Sequence, residues 1–243
     1  MIPWLPAGAP FPPVSAALKR PNGLLAASSP SDLTAPRLVQ AYRAGIFPWY
    51  SEGEPALWWS PDPRMVLFVD EFRVSRSMRK LLRAAANSAE ADLTADRAFE
   101  AVMRACAAPR PGQDGTWISE AVVTGYCALA RNGLAHSIEL RHGDQLLGGL
   151  YGVCLGRIFF GESMFSRQPN ASKIALAALI TLLRREGVAM IDCQQSTEHL
   201  ASLGAREIRR AQFLQRVAEA VQMTPIDWST YRGVRLNSLL SDH

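Results

Sequence analysis

The residues best suited to chemistry close the run Val188-Ala-Met-Ile-Asp-Cys-Gln194. Read as a strand, its alternation sends Asp192 and Gln194 to the same face as Val188 and Met190, so a carboxylate and an amide end a mostly apolar stretch. A Gln amide is no ordinary base, since it is protonated only in strong acid. Its carbonyl can nevertheless accept a hydrogen bond that orients an attacking amine. Asp192 beside it would fix that amide and stabilise positive charge developing on the nucleophile. A structural Asp capping the next helix fits the same position. A second acid, Glu162, lies among aromatics in Phe159-Phe-Gly-Glu-Ser-Met-Phe165. A carboxylate there must meet water, bind an ammonium or be satisfied by structural partners, because its burial without one is costly.

Trp49 and Trp117 follow Pro48 and Thr116 in loop-like settings away from periodic core positions. Indoles so placed suit stacking on a nucleobase, worth about 1 to 3 kcal/mol, and plain core packing suits them equally. Trp58 and Trp59, between prolines, read as buried. On a helix, Arg76, Arg79, Lys80 and Arg83 fall at i, i+3, i+4 and i+7, with Met78, Leu81, Leu82 and Ala85 opposite. Four cations without an acid on their stripe fit a phosphate backbone, and an ordinary solvated helix face shares the pattern.

The elements that would carry these residues follow from periodicity and punctuation. The first thirty or so residues read as an irregular lead-in rich in Pro, Ala, Gly and Ser. Thr34, Pro36 and Gly45 bracket a helix, and a strand from Met65 to Val69 enters a new unit. A small N-terminal domain, 1–64, and a larger one, 65–243, are expected. In the second, helices are expected at 76–86, 96–107 and 119–132. A three-strand meander within 135–163 follows, then a buried helix over 171–186 and the strand 188–194. A helix at 197–203, a strand at 205–208 and a helix at 210–221 complete it. This α+β succession of meander, central helix and strand, a mixed sheet covered by helices, resembles the GNAT acyltransferase fold. The start of its central helix, Ser166-Arg-Gln-Pro-Asn-Ala-Ser-Lys173, lacks the glycine-rich turn that receives a coenzyme A pyrophosphate. A different acyl donor is favoured, although Arg167 and Lys173 keep a phosphate in view.

Composition excludes several classes. The chain has 243 residues, 48% hydrophobic and 20% charged, with net charge +4, which describes a globular protein and is too small an excess to identify a nucleic-acid binder alone. The longest apolar stretch, Ile174 to Leu183, is about half of the roughly 20 residues that span a bilayer. No membrane span is expected. No basic residue precedes Lys19 and prolines interrupt the opening, so no signal peptide is read and a cytoplasmic location is expected. The four cysteines are dispersed without a metal-ligand pattern, so no metal site is expected.

Together, several stretches resemble the leucyl/phenylalanyl-tRNA-protein transferase family. They are Pro21-Asn-Gly-Leu-Leu-Ala26, Gly45-Ile-Phe-Pro-Trp-Tyr50, Trp58-Trp-Ser-Pro-Asp-Pro-Arg64, Gly115-Thr-Trp-Ile118, His136-Ser-Ile-Glu139, Gly161-Glu-Ser-Met-Phe-Ser-Arg167, Asn170-Ala-Ser-Lys173 and Ile191-Asp-Cys-Gln194, spread over about residues 20 to 215. Ala27-Ser-Ser-Pro-Ser-Asp32 departs from the family, which usually has a glycine-containing turn there. The resemblance implies transfer of Leu or Phe, and Met less well, from aminoacyl-tRNA to the N-terminal Arg or Lys of proteins, marking them for degradation by the N-degron pathway. It implies that Trp49 and Trp117 hold the terminal adenosine. Leu150, Phe159, Met164, Leu176 and Ile191 would line a pocket for a side chain unbranched at Cβ. Alternation puts Phe159 and Glu162 on opposite faces, so this assignment requires a bend or bulge near Gly161. Ester aminolysis is downhill, so no cofactor is required, and neither DNA nor a membrane is an expected partner. An acetyl-coenzyme A acyltransferase and a non-catalytic RNA-binding module are the rival readings.

Overall fold

The computed structural model describes residues 2–109 and 116–242. Two sheets organise the chain. The first contains β1 (Trp4–Leu5), β2 (Leu24–Ser28), β3 (Phe47–Pro48) and β4 (Ala56–Trp59) in the order β1-β2-β4-β3. Between β2 and β3 runs α1 (Ala35–Arg43), begun by Thr34, whose hydroxyl accepts from the Arg37 N–H, and by a proline in its first turn. The expected irregular lead-in is thus corrected: its residues supply two strands. Leu24–Ser28 is buried nearly throughout, so it lacks the alternation that marks a half-exposed strand. Trp58 belongs to β4 and is fully buried, its indole N–H donating to Ser28 Oγ at 2.9 Å.

The second sheet has seven strands: β5 (Arg64–Phe68), β6 (Ala91–Ala95), β7 (Ala135–His142), β8 (Gln145–Leu155), β9 (Ile158–Ser166), β10 (Met190–Gln194) and β11 (Arg206–Ile208). Their order is β11-β5-β10-β9-β8-β7-β6, and every pairing except β9 with β10 is antiparallel. The helices α2 (Arg76–Ala86), α3 (Phe99–Ala107), α4 (Glu120–Arg131), α5 (Ala171–Arg185), α6 (Glu198–Ser202) and α7 (Arg210–Ala220) connect and cover it. The expected meander, central helix and returning strand are all present. β6 escaped the sequence reading because Ala-Asp-Leu-Thr-Ala is short and weakly β-prone. Helix α3 starts three residues later than expected. Asp96 takes a left-handed φ of 52° and accepts from the Ser137 N–H at 2.8 Å, so it closes a turn instead of opening a helix.

Apolar residues fill both faces of the large sheet. One cluster unites Tyr42, Trp58, Val66, Tyr126, Phe160 and Phe213, so the first sheet and α1, α3, α4 and α7 share one core. The opposite cluster packs α5 and α2 with Leu150, Phe159 and Ile191. A C-terminal tail closes over that second face. Buried Asn237 accepts from the Leu93 N–H at 2.9 Å and donates to the carbonyls of Ala85 at 2.9 Å and Ala91 at 2.7 Å, which holds the end of α2 on β6.

Two irregularities open the sheet. Opposite β8, Tyr151 pairs with Ser163 but Gly152 pairs with Gly161, which leaves Glu162 as an extra, bulged residue. Gly152 is what permits it: a Cβ there would meet the Phe160 carbonyl oxygen at 2.2 Å and the Phe159 ring at 2.4 Å. The bulge that the pocket assignment requires is therefore present. On the other side, β9 and β10 pair only at Phe159 with Ile191 and Phe160 with Asp192. The register of β10 against β5 then shifts between Asp192 and Gln194, and Gln194 takes a φ of 59°. Beyond that point the neighbouring strands leave a seam.

Candidate active site

A cavity of about 690 Å³ occupies the seam. Leu150, Phe159, Met164, Leu176 and Ile191 all line it, joined by Leu67 and Leu179 from the same apolar cluster. Glu162 and Gln194 also line it. A smaller hollow of about 150 Å³ adjoins, and Trp49, Trp117, Glu162 and Gln194 share its wall. Trp49 is 42% exposed and its carbonyl accepts from the buried Trp59 indole at 2.7 Å, which anchors the backbone while leaving the ring to solvent. Residues 110–115 lie outside the described residues, including Gly115 of the Gly115-Thr-Trp-Ile118 motif.

Glu162 is held by hydroxyls rather than by a cation. Tyr42 donates to Oε1 at 2.7 Å and Tyr126 to Oε2 at 3.1 Å, while the two tyrosine hydroxyls also contact each other. Gln194 Nε2 donates to Oε1 at 3.0 Å. Burial pushes the Glu162 carboxyl up to about 7, against the opposing effect of the tyrosine donors. Burial likewise raises both tyrosines well above their usual value, so they stay protonated as donors. Neither tyrosine was singled out from the sequence. Tyr42 reads as one turn of an amphipathic helix, and nothing local ties Tyr126 to an acid 36 residues away.

Asp192 departs from its expected part. Its carboxylate is fully buried and meets Arg64 twice, from Nε at 2.8 Å and Nη2 at 2.7 Å. Arg64 also donates to the Gly45 carbonyl at 3.2 Å and lies between the rings of Phe47 and Phe213. The expectation that Asp192 fixes the Gln194 side-chain amide is corrected: that amide goes to Glu162, and Asp192 Oδ1 instead accepts from the Gln194 backbone N–H at 3.0 Å. Asp192 and Gln194 do not share a face by alternation, because the left-handed turn at Gln194 breaks the period. Val188 lies in the cluster opposite that of Met190, so it leaves their expected face as well. An Asp that neutralises a buried guanidinium is not aimed at a nucleophile. The sequence carried a signal for this partner only in the motif ending at Arg64.

Arg76, Lys80 and Arg83 are exposed along α2 and make no ion pair among the described residues, while Arg79 is exposed beside them. Met78, Leu82 and Ala85 are buried as expected, but Leu81 is 37% exposed. His136 and Glu139 of the resemblance motif serve the fold. His136 Nδ1 meets Asp96 at 2.7 Å, and Glu139 accepts from the Ala98 N–H at 2.7 Å where α3 begins. Among the described residues no group of His, Cys, Asp and Glu is arranged for a metal, and no helix is long and apolar enough to cross a membrane.

The α+β fold and its opened seam define a transferase-like protein, with an apolar chamber beside a carboxyl, an amide and two indoles. A family model of leucyl/phenylalanyl-tRNA protein transferase matches residues 66–218, and its N-terminal domain matches residues 31–62. The leucyl/phenylalanyl-tRNA–protein transferase of Bordetella bronchiseptica is 55% identical over 242 residues, covering 98% of this chain and 93% of that one. Its namesake from Paraburkholderia phymatum is 54% identical over 245 residues, covering 99% of each. A GCN5-related N-acetyltransferase-like protein from Streptococcus suis is a distant structural likeness, with 15% identity, a TM-score of 0.33 and coverage of 71% and 63%. The chain belongs to the leucyl/phenylalanyl-tRNA protein transferase family. It is an enzyme, and the reading as a non-catalytic RNA-binding module falls.

Two measurements check this geometry. Asp192→Asn leaves the Arg64 guanidinium buried without its counter-charge, which costs about 3 to 5 kcal/mol of stability. Urea denaturation should report that loss, whereas Gln194→Ala should leave the midpoint nearly unchanged. For Glu162, the folded value of about 7 lies above the ordinary 4.5, so the folded state holds a proton that the unfolded chain has lost. Stability therefore falls as pH rises from about 4.5 to about 7, and Glu162→Gln should flatten that part of the profile. An unchanged profile would show that the carboxyl is not desolvated.

Proposed function

We propose that this chain moves leucine or phenylalanine, and methionine less well, from aminoacyl-tRNA to the N-terminal Arg or Lys of acceptor proteins, marking them for degradation by the N-degron pathway. The observation that carries this reading is the joining of the two hollows. An apolar chamber and an indole-lined hollow meet at Glu162 and Gln194, which suits an aminoacyl-adenosine bent around its ester.

In this reading the donor side chain fills the chamber among Leu150, Phe159, Met164, Leu176 and Ile191. Trp49 and Trp117 hold the terminal adenine by stacking. The acceptor α-amine attacks the ester carbonyl, a tetrahedral adduct forms, and collapse of that adduct breaks the bond to the ribose oxygen. The amine proton leaves and the ribose hydroxyl gains one, so an ester and an amine become an amide and an alcohol. An α-amine with pKa of about 7.7 to 8.0 is roughly a tenth neutral at pH 7, so a strong base is unnecessary. Positioning does most of the work.

Gln194 is the positioning group in contact with the reacting amine. Because its Nε2 is donated to Glu162, its Oε1 is left to accept from the nucleophile. Glu162, fixed by Tyr42 and Tyr126, holds an ammonium of the substrates, whose charge draws the carboxyl into its ionised form. Asp192 acts one step further back, setting the backbone turn that presents Gln194. Arg76, Arg79, Lys80 and Arg83 form the surface for the tRNA backbone.

The deciding experiment is transfer of labelled amino acids from charged tRNA to an Arg-starting peptide. Leu, Phe and Met should transfer and Ile and Val should not, because branching at Cβ crowds the chamber. Equal transfer of Ile and Leu would show that the chamber is not the side-chain site. Gln194→Ala should slow single-turnover transfer by roughly a hundredfold, the cost of a misplaced nucleophile. Its affinity for tRNA should stay close to that of the parent. A near-normal rate would remove Gln194 from the reaction and leave proton handling to the vicinal ribose hydroxyl.

A further inference from the structure

A second sizeable cleft, of about 480 Å³, lies between α2 and α5. Arg73, Ser75, Ser77 and Leu81 form one wall, Asn170 and Lys173 the other. Two cations line it and no carboxylate does. The nearby acid Glu71 is already engaged by Arg206, at 2.8 and 3.0 Å.

Its walls adjoin features already described. On one side, α5 and α6 are a wall shared with the catalytic cavity. Ser172 lines the cavity and Lys173 the cleft, and His199 and Leu200 line the cavity where Ser202 and Leu203 line the cleft. On the other, Lys80 follows Ser77 by three residues and so lies beside it on the helix surface. There the cationic stripe of α2 begins. The cleft is therefore a cationic hollow that borders the stripe on one side and, across α5 and α6, the reaction chamber on the other.

We propose that this cleft holds nucleotides of the unpaired 3′ end of the donor RNA that precede the terminal adenosine, next to the α2 stripe, with Arg73 and Lys173 on their phosphates and the exposed Leu81 against a base or sugar. The inference rests on the transfer reaction proposed above. Charge selects the occupant. The donor is a polyanion, whereas an acceptor bearing an N-terminal Arg or Lys is repelled by a cleft lined with cations. Arg73 and Lys173 are binding and positioning residues in this scheme, and they touch no reacting atom.

The test uses three donors carrying the same amino acid: full-length tRNA, the CCA trinucleotide and adenosine alone. Replacing Arg73 and Lys173 together by Ala should raise KM about tenfold for the tRNA and the trinucleotide, while kcat and the adenosine donor stay unchanged. Lys173→Arg, which keeps the charge, should keep the parental KM. Replacing Arg76, Lys80 and Arg83 by Ala should raise KM for full-length tRNA only. A matching loss with aminoacyl-adenosine would mean that the cleft merely shapes the cavity, and this would overturn the proposal. So would an unchanged KM for the trinucleotide, or a change in KM for the acceptor peptide instead, which would make the cleft a protein subsite. Absence of transfer from every donor by the unaltered protein would sink the reaction itself, a result distinct from failure of the cleft.

Discussion

The buried pair of Arg64 and Asp192 is the constraint from which the site is built. Both side chains are fully buried, and each was costly to take out of water. Their geometry offsets that cost through two parallel hydrogen bonds of 2.7 and 2.8 Å. Arg64 opens β5 and Asp192 lies on the adjacent β10, so the pair crosses a strand boundary where the backbone ladder changes register. Through Gly45 and the ring of Phe47, the guanidinium also reaches the first sheet, and through Phe213 it reaches α7. One charged contact therefore ties β5 and β10, which line the chamber through Leu67, Ile191 and Gln194, to the first sheet and to α7. Its other product is local: the second lone pairs of Asp192 take the Gln194 N–H and hold a left-handed residue at the strand end.

The opposite wall depends on a different device. A bulge ejects Glu162 from the ladder, Gly152 makes room for it, and two tyrosines from separate helices receive it. The carboxyl sits where hydroxyl donors compete with burial for control of its charge, and burial prevails. A cation built into the protein would have fixed it as a carboxylate. Neutral donors leave it responsive to whatever charge a substrate brings.

Much of this was legible in the sequence, for identifiable reasons. Helices such as α2 and α5 declare themselves locally, α2 through a basic stripe at helical spacing opposite an apolar one and α5 through a run apolar nearly all round that Gly187 ends. The meander was readable because His142-Gly-Asp144 and Leu155-Gly156 punctuate it. The basic face of α2 and the loop setting of Trp49 were likewise local facts. What failed was long-range or aperiodic. β2 is buried on both faces and has no alternation to detect, and the turn at Gln194 violates the strand period used to orient Asp192. Arg64 and Asp192 are 128 residues apart and Tyr42 and Glu162 are 120 apart, so no spacing rule pairs them. The five chamber residues were placed by family resemblance, since periodicity alone reads them as core. That reading is also physically sound, for they are core residues of a sheet that has been parted.

A chamber made from parted core has a consequence for turnover. In the proposed reaction the transferred residue does not change its seat: its side chain lies among the same apolar groups when it is an ester on RNA and when it heads a polypeptide. Bond exchange alone gives the enzyme no push to let go. The modified protein must withdraw an apolar side chain into water before another donor can enter, and that exposure is unfavourable by about 25 cal/mol for each Å² uncovered. Release is therefore a candidate for the slow step of the cycle, and a chamber that gripped its guest more tightly would gain affinity at the expense of throughput.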